Sequence, residues 1–418
     1  MPLTNLNALK AVSRNVVHAQ GTDVSTCSYC DRQDASDESG WTDSQTSYTT
    51  GLTAVQLMCE TYERMLLRGW RRSGMYCYKP DSRRSCCPQY PIRLDAMNFK
   101  PTRSQRKAIY NAHENIRYEY SMACSDPRDT SSASLASTLH SVEYRTTIER
   151  KAHKFEVFLE SPSYTAEKYR LYETYQTQVH HDTLNLPYLF YRFLVESPLI
   201  STAIPYTSAA PPPHLPRQYG SYHQLYRLDG RLIGLSVLDV LPGSVSSVYF
   251  MYDTRWAKYS LGKLSVMREA ALVQEMNHAG LPEMQHLHLG YYIHSNPKMR
   301  YKREYHPTHL ADPEELSWHP MGECMPVLDR YHYACFARPE HSTQRDDDPG
   351  EREPRSLVNA PPDEDLEDLQ FVKLKDGEAE LMPLKSSDAW ADTIYLRPAL
   401  IATIDGLGVD LAKELVFH

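Results

Sequence analysis

Apolar and polar residues recur along the 418-residue chain with two periods, and these periods predict its elements. Apolar positions three or four residues apart predict helices over 53–69, 164–180 and 261–279. Thr53 and Gln56 have the spacing of a capping box at the start of the first helix, and Gly69 suits its end. Alternating or continuous apolar runs predict strands over 75–78, 90–94, 154–160, 232–241, 245–252 and 286–293.

The segments between these elements predict how the chain is organised. Small polar residues over 121–141 predict a linker, and a proline run predicts an extended loop over 201–216. The order strand, strand, helix, strand from 232 to 293 predicts a helix packed on a sheet. No apolar run approaches the roughly 20 residues of a membrane helix, and the N-terminus lacks a signal-peptide pattern. We therefore expect a soluble intracellular protein.

Charge changes this picture because it is segregated along the chain. The net charge of −8 includes a stretch, 64–107, with twelve basic and two acidic residues, and another, 340–370, with eleven acidic and three basic residues. Aromatic residues interleave the basic stretch, and the chain has 30 Tyr against 9 Phe. Phosphate contacts and stacking on unpaired bases would suit a single-stranded RNA end. The alternative is a solvated basic face, and we favour nucleic acid.

Cysteine usage indicates a metal site. The count is nine, an odd number, and seven of them precede residue 125. Without a secretory signal this argues against a disulfide framework. Cys27 and Cys30 have a two-residue spacing, and Cys86 and Cys87 are adjacent, so four thiolates could hold zinc or an iron–sulfur cluster. The alternative is a set of unrelated buried thiols.

The second half of the chain offers candidate catalytic groups. His223 is a candidate proton acceptor, and Asp253 ends a predicted strand. A basic, aromatic cluster suited to an anion follows at 298–305. For a lone His or Asp a structural role is the usual alternative. The chain has no P-loop, no G-x-G-x-x-G after a strand and no G-x-S-x-G, so we expect no nucleotide cofactor.

Eight blocks of this sequence, in order, resemble the arginyl-tRNA–protein transferases, the arginyltransferases of the N-degron pathway. The blocks are CSYC (27–30), RGWRRSGMYCYKP (68–80), CCPQYPIRLD (86–95), FKPTRSQRK (99–107), GSYHQLYRLDGRLIGLSVLDVLP (220–242), SSVYFMYD (246–253), LGKLSVMRE (261–269) and LGYYIHSNPKMRYKREY (289–305). The resemblance implies an α+β fold, with an N-terminal metal-binding domain and an acetyltransferase (GNAT)-like mixed sheet with packed helices. We accordingly expect a Cys-rich basic domain over 1–120, a linker over 121–142, the transferase domain over 143–335, and an acidic insertion with a C-terminal segment over 336–418.

The resemblance also implies a function. The family transfers arginine from arginyl-tRNA to the free α-amine of proteins that begin with Asp, Glu or oxidised Cys, which creates an N-degron. It implies zinc or an iron–sulfur cluster at Cys27, Cys30, Cys86 and Cys87, and arginyl-tRNA as co-substrate. The expected partners are acidic N-terminal proteins and a ubiquitin ligase of the pathway, with no membrane. We expect a monomer in the cytoplasm, with the nucleus as a second location.

Residue roles follow from the resemblance and the chemistry as hypotheses. We assign catalysis to His223 as base, with Tyr291 or Tyr301 as alternatives, and to Asp253 as a partner for a guanidinium or an amine. Substrate binding is assigned to Gln224, Tyr226, Lys298, Arg300 and Lys302. Contact with tRNA is assigned to Arg71, Arg72, Lys100, Arg103, Arg106 and Lys107. Two other classes stay open: an acetyl-CoA-dependent acetyltransferase, whose pyrophosphate loop is absent here, and a non-enzymatic adaptor that binds tRNA or zinc.

Overall fold

Two mixed β-sheets and their packed helices form the protein, so the α+β class is confirmed. The structure is a computed structural model that describes residues 3–29, 46–107, 134–143, 154–344 and 361–418. Its strands are β1 (Val16–Ser25), β2 (Ser47–Met58), β3 (Arg71–Ser73), β4 (Tyr76–Pro80), β5 (Tyr90–Asp95), β6 (Phe155–Glu160), β7 (Leu199–Ile200), β8 (Thr202–Ala203), β9 (Gln218–Leu228), β10 (Arg231–Val240), β11 (Ser244–Tyr252), β12 (His286–Tyr292), β13 (Thr308–Ala311), β14 (Trp318–Pro320), β15 (Gln370–Lys375), β16 (Glu378–Pro383) and β17 (Val416–Phe417).

The α-helices vary from one turn to five. They are α1 (Leu3–Val12), α2 (Cys59–Leu67), α3 (Leu135–Glu143), α4 (Ala166–Tyr175), α5 (Pro187–Phe190), α6 (Leu261–His278), α7 (Met321–Arg330), α8 (Asp388–Ala391), α9 (Leu396–Leu407) and α10 (Val409–Ala412). Among these helices and the shorter helical turns of the described residues, none is long and apolar enough to cross a membrane.

The first sheet combines both ends of the chain. Its order is β16-β15-β17-β1-β2-β4-β3, and β7 pairs with β2. Strand β17 lies between β15 and β1 and runs parallel to both. Trp390, Leu400 and Phe417 are buried in the shared core, so the C-terminal segment packs on the N-terminal part of the protein. The predicted domain boundaries stay a prediction, although this sheet draws strands from 1–120 and from 336–418.

The second sheet positions the chemistry. Its order is β14-β13-β5-β12-β11-β10-β9-β6, with β8 paired to β9. Helix α6 connects β11 to β12 and covers one face, while α4 packs on Leu235, Val237 and Met251 on the other. Strand β5 enters this sheet from the N-terminal part of the chain and lies between β12 and β13. The two sheets are therefore linked through β5.

Most predicted elements are confirmed, and the helix over 53–69 is the main error. Strand β2 continues to Met58, and α2 begins only at Cys59. The capping box does not form, because Gln56 donates to the backbone of α1 and its following turn while Thr53 accepts from Gln20. Pairing of β2 between β1 and β4 overrides the local helical pattern. The end of the helix is correct, since Gly69 has a φ of +89°.

The predicted linker over 121–141 is wrong in part. Residues 121–133 lie outside the described residues, whereas 135–143 form helix α3, which packs on α6. Leu139 of this helix is buried in the main core. The small residues that indicated a linker are also compatible with close packing of one helix on another.

Candidate functional site

A cluster of three buried thiols lies where the N-terminal part meets the second sheet. Cys27 follows β1, and Cys86 and Cys87 precede β5. Their sulfur atoms lie within 4.8 Å of one another. The hydrogen bond between the two adjacent thiols, together with burial, raises the pKa of the Cys87 thiol. Three convergent sulfurs fit the ligand chemistry of zinc or an iron–sulfur cluster. Cys30, the fourth predicted ligand, lies outside the described residues.

The thiol cluster also supports a loop of the second half of the chain. Ile293 packs directly against the three cysteines, and Ser295 Oγ donates to Cys87 Sγ over 3.7 Å. Asn296 Nδ2 donates to the Tyr29 carbonyl over 3.1 Å. Whatever fixes the thiols therefore also fixes the start of the 293–300 loop.

The tandem arginines are buried, so the structure does not support the prediction that they contact tRNA. Arg72 makes a two-pronged ion pair with Asp239, with Nε–Oδ2 and Nη2–Oδ1 distances of 2.8 and 2.6 Å. Arg71 donates to the carbonyls of Leu66, Trp70 and Gly290. Both residues are 5 % exposed, and a phosphate could not reach guanidinium groups already paired inside the protein.

The other predicted tRNA contacts are exposed. Residues 103–107 form a helical turn that Gln105 anchors by donating to the Glu304 carbonyl over 3.1 Å. We call the exposed cations on this turn and on the adjoining 298–303 segment the basic surface. Its members are Lys100, Arg103, Arg106, Lys107, Lys298, Arg300 and Arg303.

The parallel strands β11 and β12 separate beside this surface. They pair only from Ser244–Ser246 to His286–His288, although β11 continues to Tyr252 and β12 to Tyr292. A bulge in β12 places Gly290 at a φ of +71°. We call the space between the diverging ends the strand gap. The strand gap cannot be predicted from the hydrophobic pattern, because the pattern marks strands but not where their pairing stops.

A buried polar network lies under the diverging end of β11. Gln224 Nε2 donates to the Tyr226 hydroxyl over 2.5 Å, and Tyr226 in turn contacts Ser236. Ser236 Oγ donates to Glu269 Oε1 of α6 over 3.0 Å. Burial raises the pKa of Glu269 to about 7 against the opposing hydrogen bonds from Ser247 and Ser236. Two predicted substrate-binding residues are thus brought together around a carboxyl group that the sequence reasoning missed.

Glu269 is close to the aromatic residues that follow β12. Burial, and next the Glu269 charge, raise the pKa of the Tyr301 hydroxyl to about 12, although 41 % of the residue is exposed. Within the described residues, Glu269 Oε2 and the Tyr305 hydroxyl make no hydrogen bond. The signal in the sequence was a charged pair, Arg268–Glu269, inside a helix whose positions 264–273 are all buried. An unpaired buried carboxylate oxygen is costly in a purely structural role.

Two predicted catalytic residues, His223 and Tyr291, make hydrogen bonds inside the protein. His223 is fully buried on the opposite face, where Nε2 donates to the Leu194 carbonyl and Nδ1 accepts from Lys168, each over 2.9 Å. Burial lowers its pKa to about 4. Neither ring nitrogen is left to take a substrate proton, so this geometry does not support the predicted base. The Tyr291 hydroxyl donates to the Gly69 carbonyl over 2.8 Å and lines a separate polar cavity of about 120 Å³.

Asp253 and Lys302 make polar contacts with neighbouring groups of the protein. Asp253 caps the helical turn after β11 and holds the exposed Arg255 guanidinium through Nε at 2.9 and 3.2 Å. Burial raises the pKa of Asp253. Lys302 is buried and donates to the Tyr291 carbonyl over 2.7 Å, and burial followed by the Arg71 charge lowers its pKa to about 7. Lys302 therefore supports the bulged strand β12 rather than presenting a charge to solvent.

Comparison with known proteins places the chain in a family of aminoacyl transferases. A family model described as arginine-tRNA-protein transferase, N terminus, matches residues 25–107, and the corresponding C-terminus model matches residues 167–312. The two models together cover more than half of the chain. The chain therefore belongs to the arginine-tRNA-protein transferase family.

Individual relatives agree with this assignment. Arginyl-tRNA–protein transferase 1 of Saccharomyces cerevisiae is 34 % identical over 62 % of this chain and 50 % of its own length, and the Arabidopsis thaliana protein is 35 % identical over 70 % and 44 %. The chain thus spans about half the length of these two relatives. The Drosophila melanogaster protein of the same name is 25 % identical over 87 % of this chain and 91 % of its own. An aspartate/glutamate leucyltransferase of Polynucleobacter asymbioticus is 28 % identical over 59 % and 77 %.

Proposed function

We propose that this protein transfers arginine from arginyl-tRNA to the α-amine of proteins that begin with Asp, Glu or oxidised Cys. The observation that carries the proposal is the interleaving of the two family segments. Strand β5 of the first segment lies beside β12 of the second, so the thiol cluster, the basic surface and the strand gap adjoin one sheet. The leucyltransferase relatives, whose name specifies aspartate and glutamate, support an acidic acceptor.

The reaction needs a proton acceptor and precise alignment. The α-amine nitrogen attacks the ester carbonyl carbon, a C–N bond forms, and the C–O bond to the tRNA ribose breaks. The amine loses a proton, and the released ribose oxygen takes one up. Glu269 suits the acceptor role because a carboxyl group with a pKa near 7 is about half ionised at neutral pH. Alignment of amine and ester can supply roughly 7–11 kcal/mol more.

The strand gap is the proposed place for the reacting groups. In this proposal Glu269 lies at the base of the gap. Tyr301, which is exposed, and Tyr305, which is buried, follow β12 close to it. Asp253 already binds a guanidinium, that of Arg255, whose side chain is 62 % exposed and free to be exchanged. In our proposal the arginine being transferred replaces Arg255 there.

Charge and metal complete the proposed site. Lys298 and Arg300 are exposed on the basic surface and would pair with the acidic first side chain of the acceptor. Lys100, Arg103, Arg106 and Lys107 would contact tRNA phosphates. Zinc or an iron–sulfur cluster at Cys27, Cys86 and Cys87, with Cys30 as a fourth ligand, would fix the 293–300 loop; a closed zinc site supplies folding energy of this kind.

Several finer features belong to the same proposal. The meander β9–β10–β11, the crossover helix α6 and the parallel strand β12 support a GNAT-like sheet, and the thiol cluster supports an N-terminal metal-binding domain. An N-degron ubiquitin ligase as partner, a monomeric state and a cytoplasmic location with the nucleus as second site remain expectations from the family.

The decisive experiment measures transfer of labelled arginine from charged tRNA to peptides that differ only in their first residue. We expect transfer to Asp, Glu and oxidised Cys peptides and none to an Ala peptide. Leucyl-tRNA serves as the matched donor control and labelled acetyl-CoA as the control for an acetyltransferase. Tight tRNA binding without transfer would indicate the adaptor, and acetyl transfer alone would overturn the proposal.

A further inference from the structure

A second set of metal-ligating side chains lies away from the thiols and the strand gap. It consists of His140 from α3, His214 from the proline-rich loop before β9, and Glu275 from α6. The ligand atoms of the three lie within 4.8 Å of one another. Neither the proposed transfer reaction nor the thiol cluster uses these residues, and they come from three separate segments of the chain.

The two imidazoles converge on a single carboxylate oxygen. His140 Nε2 and His214 Nε2 lie 2.6 and 2.8 Å from Glu275 Oε1, and the ring centroids are 4.7 Å apart. Arg268 Nη1 donates to the other oxygen, Oε2, over 3.2 Å. Arg268 thereby holds the carboxylate through Oε2, while Oε1 faces the Nε2 atoms of both imidazoles. Orientation of a ligating carboxylate by a hydrogen-bonded neighbour is a common feature of metal sites.

Burial and ligand type favour a specific cation class. The side chains of His140, His214 and Glu275 are 15, 20 and 12 % exposed, which leaves room for water as a further ligand. Two imidazole nitrogens and one carboxylate oxygen are a donor set typical of zinc and of neighbouring transition metals, not of calcium or magnesium. An ordinary carboxyl group is ionised at any pH at which imidazoles are neutral ligands.

We propose that His140, His214 and Glu275 bind a zinc-class divalent cation that fastens α3 and the 201–216 loop to α6. The cation takes the place of the protons that now bridge the two Nε2 atoms to Glu275, and those protons move to Nδ1 or leave to solvent. Helix α6 also carries Glu269, six residues before Glu275 and about 9 Å along the axis. Metal binding at His140, His214 and Glu275 would therefore stabilise the helix that carries Glu269.

Cobalt titration of the full chain tests this site without any variant. Cobalt bound by thiolates shows an intense near-ultraviolet charge-transfer band, whereas cobalt bound by two imidazoles and a carboxylate shows only visible d–d bands. We expect the wild-type protein to show both phases. Saturation in the thiolate phase alone would overturn the proposal.

Zinc counting by mass spectrometry supplies the matched variants. His140→Gln and His214→Gln keep a side-chain donor to Glu275 but remove an imidazole ligand. The control His278→Gln changes an exposed histidine of α6, the helix that carries Glu275. After dialysis, we expect the first two variants to retain one zinc fewer per chain than wild type and His278→Gln, and to show a smaller zinc-dependent increase in Tm than these two proteins. Equal zinc content in all four proteins, with far-ultraviolet circular dichroism showing each folded, would contradict the site and leave only a hydrogen-bond cluster.

Discussion

The basic stretch 64–107 contains two groups of cations with opposite environments. The first is the pair Arg71 and Arg72, and the second is the set Lys100, Arg103, Arg106 and Lys107. The first pair lies inside the protein and bonds to Asp239 and to backbone carbonyls. The second group lies on an exposed turn. Charge density along the chain marks a segment as unusual, but only burial decides whether a cation stabilises the fold or is available to a phosphate.

The largest expected effect is on stability, and it comes from the buried ion pair of Arg72 with Asp239. Arg72→Ala leaves Asp239 buried without its partner, and we expect a loss of about 3–5 kcal/mol in the free energy of unfolding, measured by urea denaturation. The double variant Arg72→Met/Asp239→Leu removes both charges and should recover much of the loss. If Arg72→Ala kept wild-type stability and weakened tRNA binding instead, the buried ion pair would not exist in solution.

Glu269→Gln tests whether a buried carboxyl group can also be the proton acceptor of the transfer reaction. Gln keeps the shape and a hydrogen bond with Ser236 but cannot accept a proton, so we expect arginine transfer in single turnover to fall roughly 10²–10⁴-fold. Binding of arginyl-tRNA should be unchanged, as measured by filter binding. Transfer at the wild-type rate would exclude Glu269 as the proton acceptor.

The pH dependence of stability tests the same carboxyl group without substrate. Its pKa is about 7 in the fold and near its ordinary value of 4.5 in the unfolded chain, so between these values the folded state binds more protons. Stability therefore falls as pH rises from about 4.5 to 7, by up to about 3 kcal/mol. The difference in unfolding free energy between Glu269→Gln and wild type should grow in favour of the variant over this range. A constant difference would show that the Glu269 pKa is not raised.

Neutralising the exposed group should change binding and little else. With Lys100, Arg103, Arg106 and Lys107 all replaced by Gln, the slope of log affinity against log salt for tRNA should become shallower by roughly 3, at about 0.7 for each phosphate that the protein no longer neutralises. The free energy of unfolding should change by only a few tenths of a kcal/mol per exposed position. An unchanged salt slope would mean that these exposed cations do not bind the tRNA.

The smallest expected effect on arginine transfer is that of His223→Gln. Because both ring nitrogens serve internal hydrogen bonds, we expect a stability loss of about 1–3 kcal/mol and retained transfer by the folded protein. Wild type should also lose stability as pH falls from 6.5 toward about 4, since the unfolded chain protonates His223 first. A loss of transfer as large as that of Glu269→Gln would restore His223 as the base.

Local pattern was sufficient for much of the fold and for part of the site. Strands β5, β6, β10, β11 and β12 and helices α4 and α6 follow from apolar periodicity, because each buries a continuous face or run. The two-residue spacing at Cys27 and the adjacent Cys86 and Cys87 indicated the thiol cluster, since close thiols in sequence can share one ligand. The helix predicted at Thr53 failed because pairing with distant strands outweighed a local capping signal.

What the sequence alone determined is therefore most of the elements, the cysteines that cluster and, through eight blocks, the family. The tertiary structure decided that β17 completes the N-terminal sheet, that β5 crosses into the second sheet, that Arg72 pairs with Asp239, and that His223 and Glu269 lie buried among different neighbours. Local patterns record which residues prefer burial, but pairing between segments hundreds of residues apart fixes which charges are buried together. The free energy and pKa of a charged group depend on that neighbourhood, so its role could be stated only after the chain was folded.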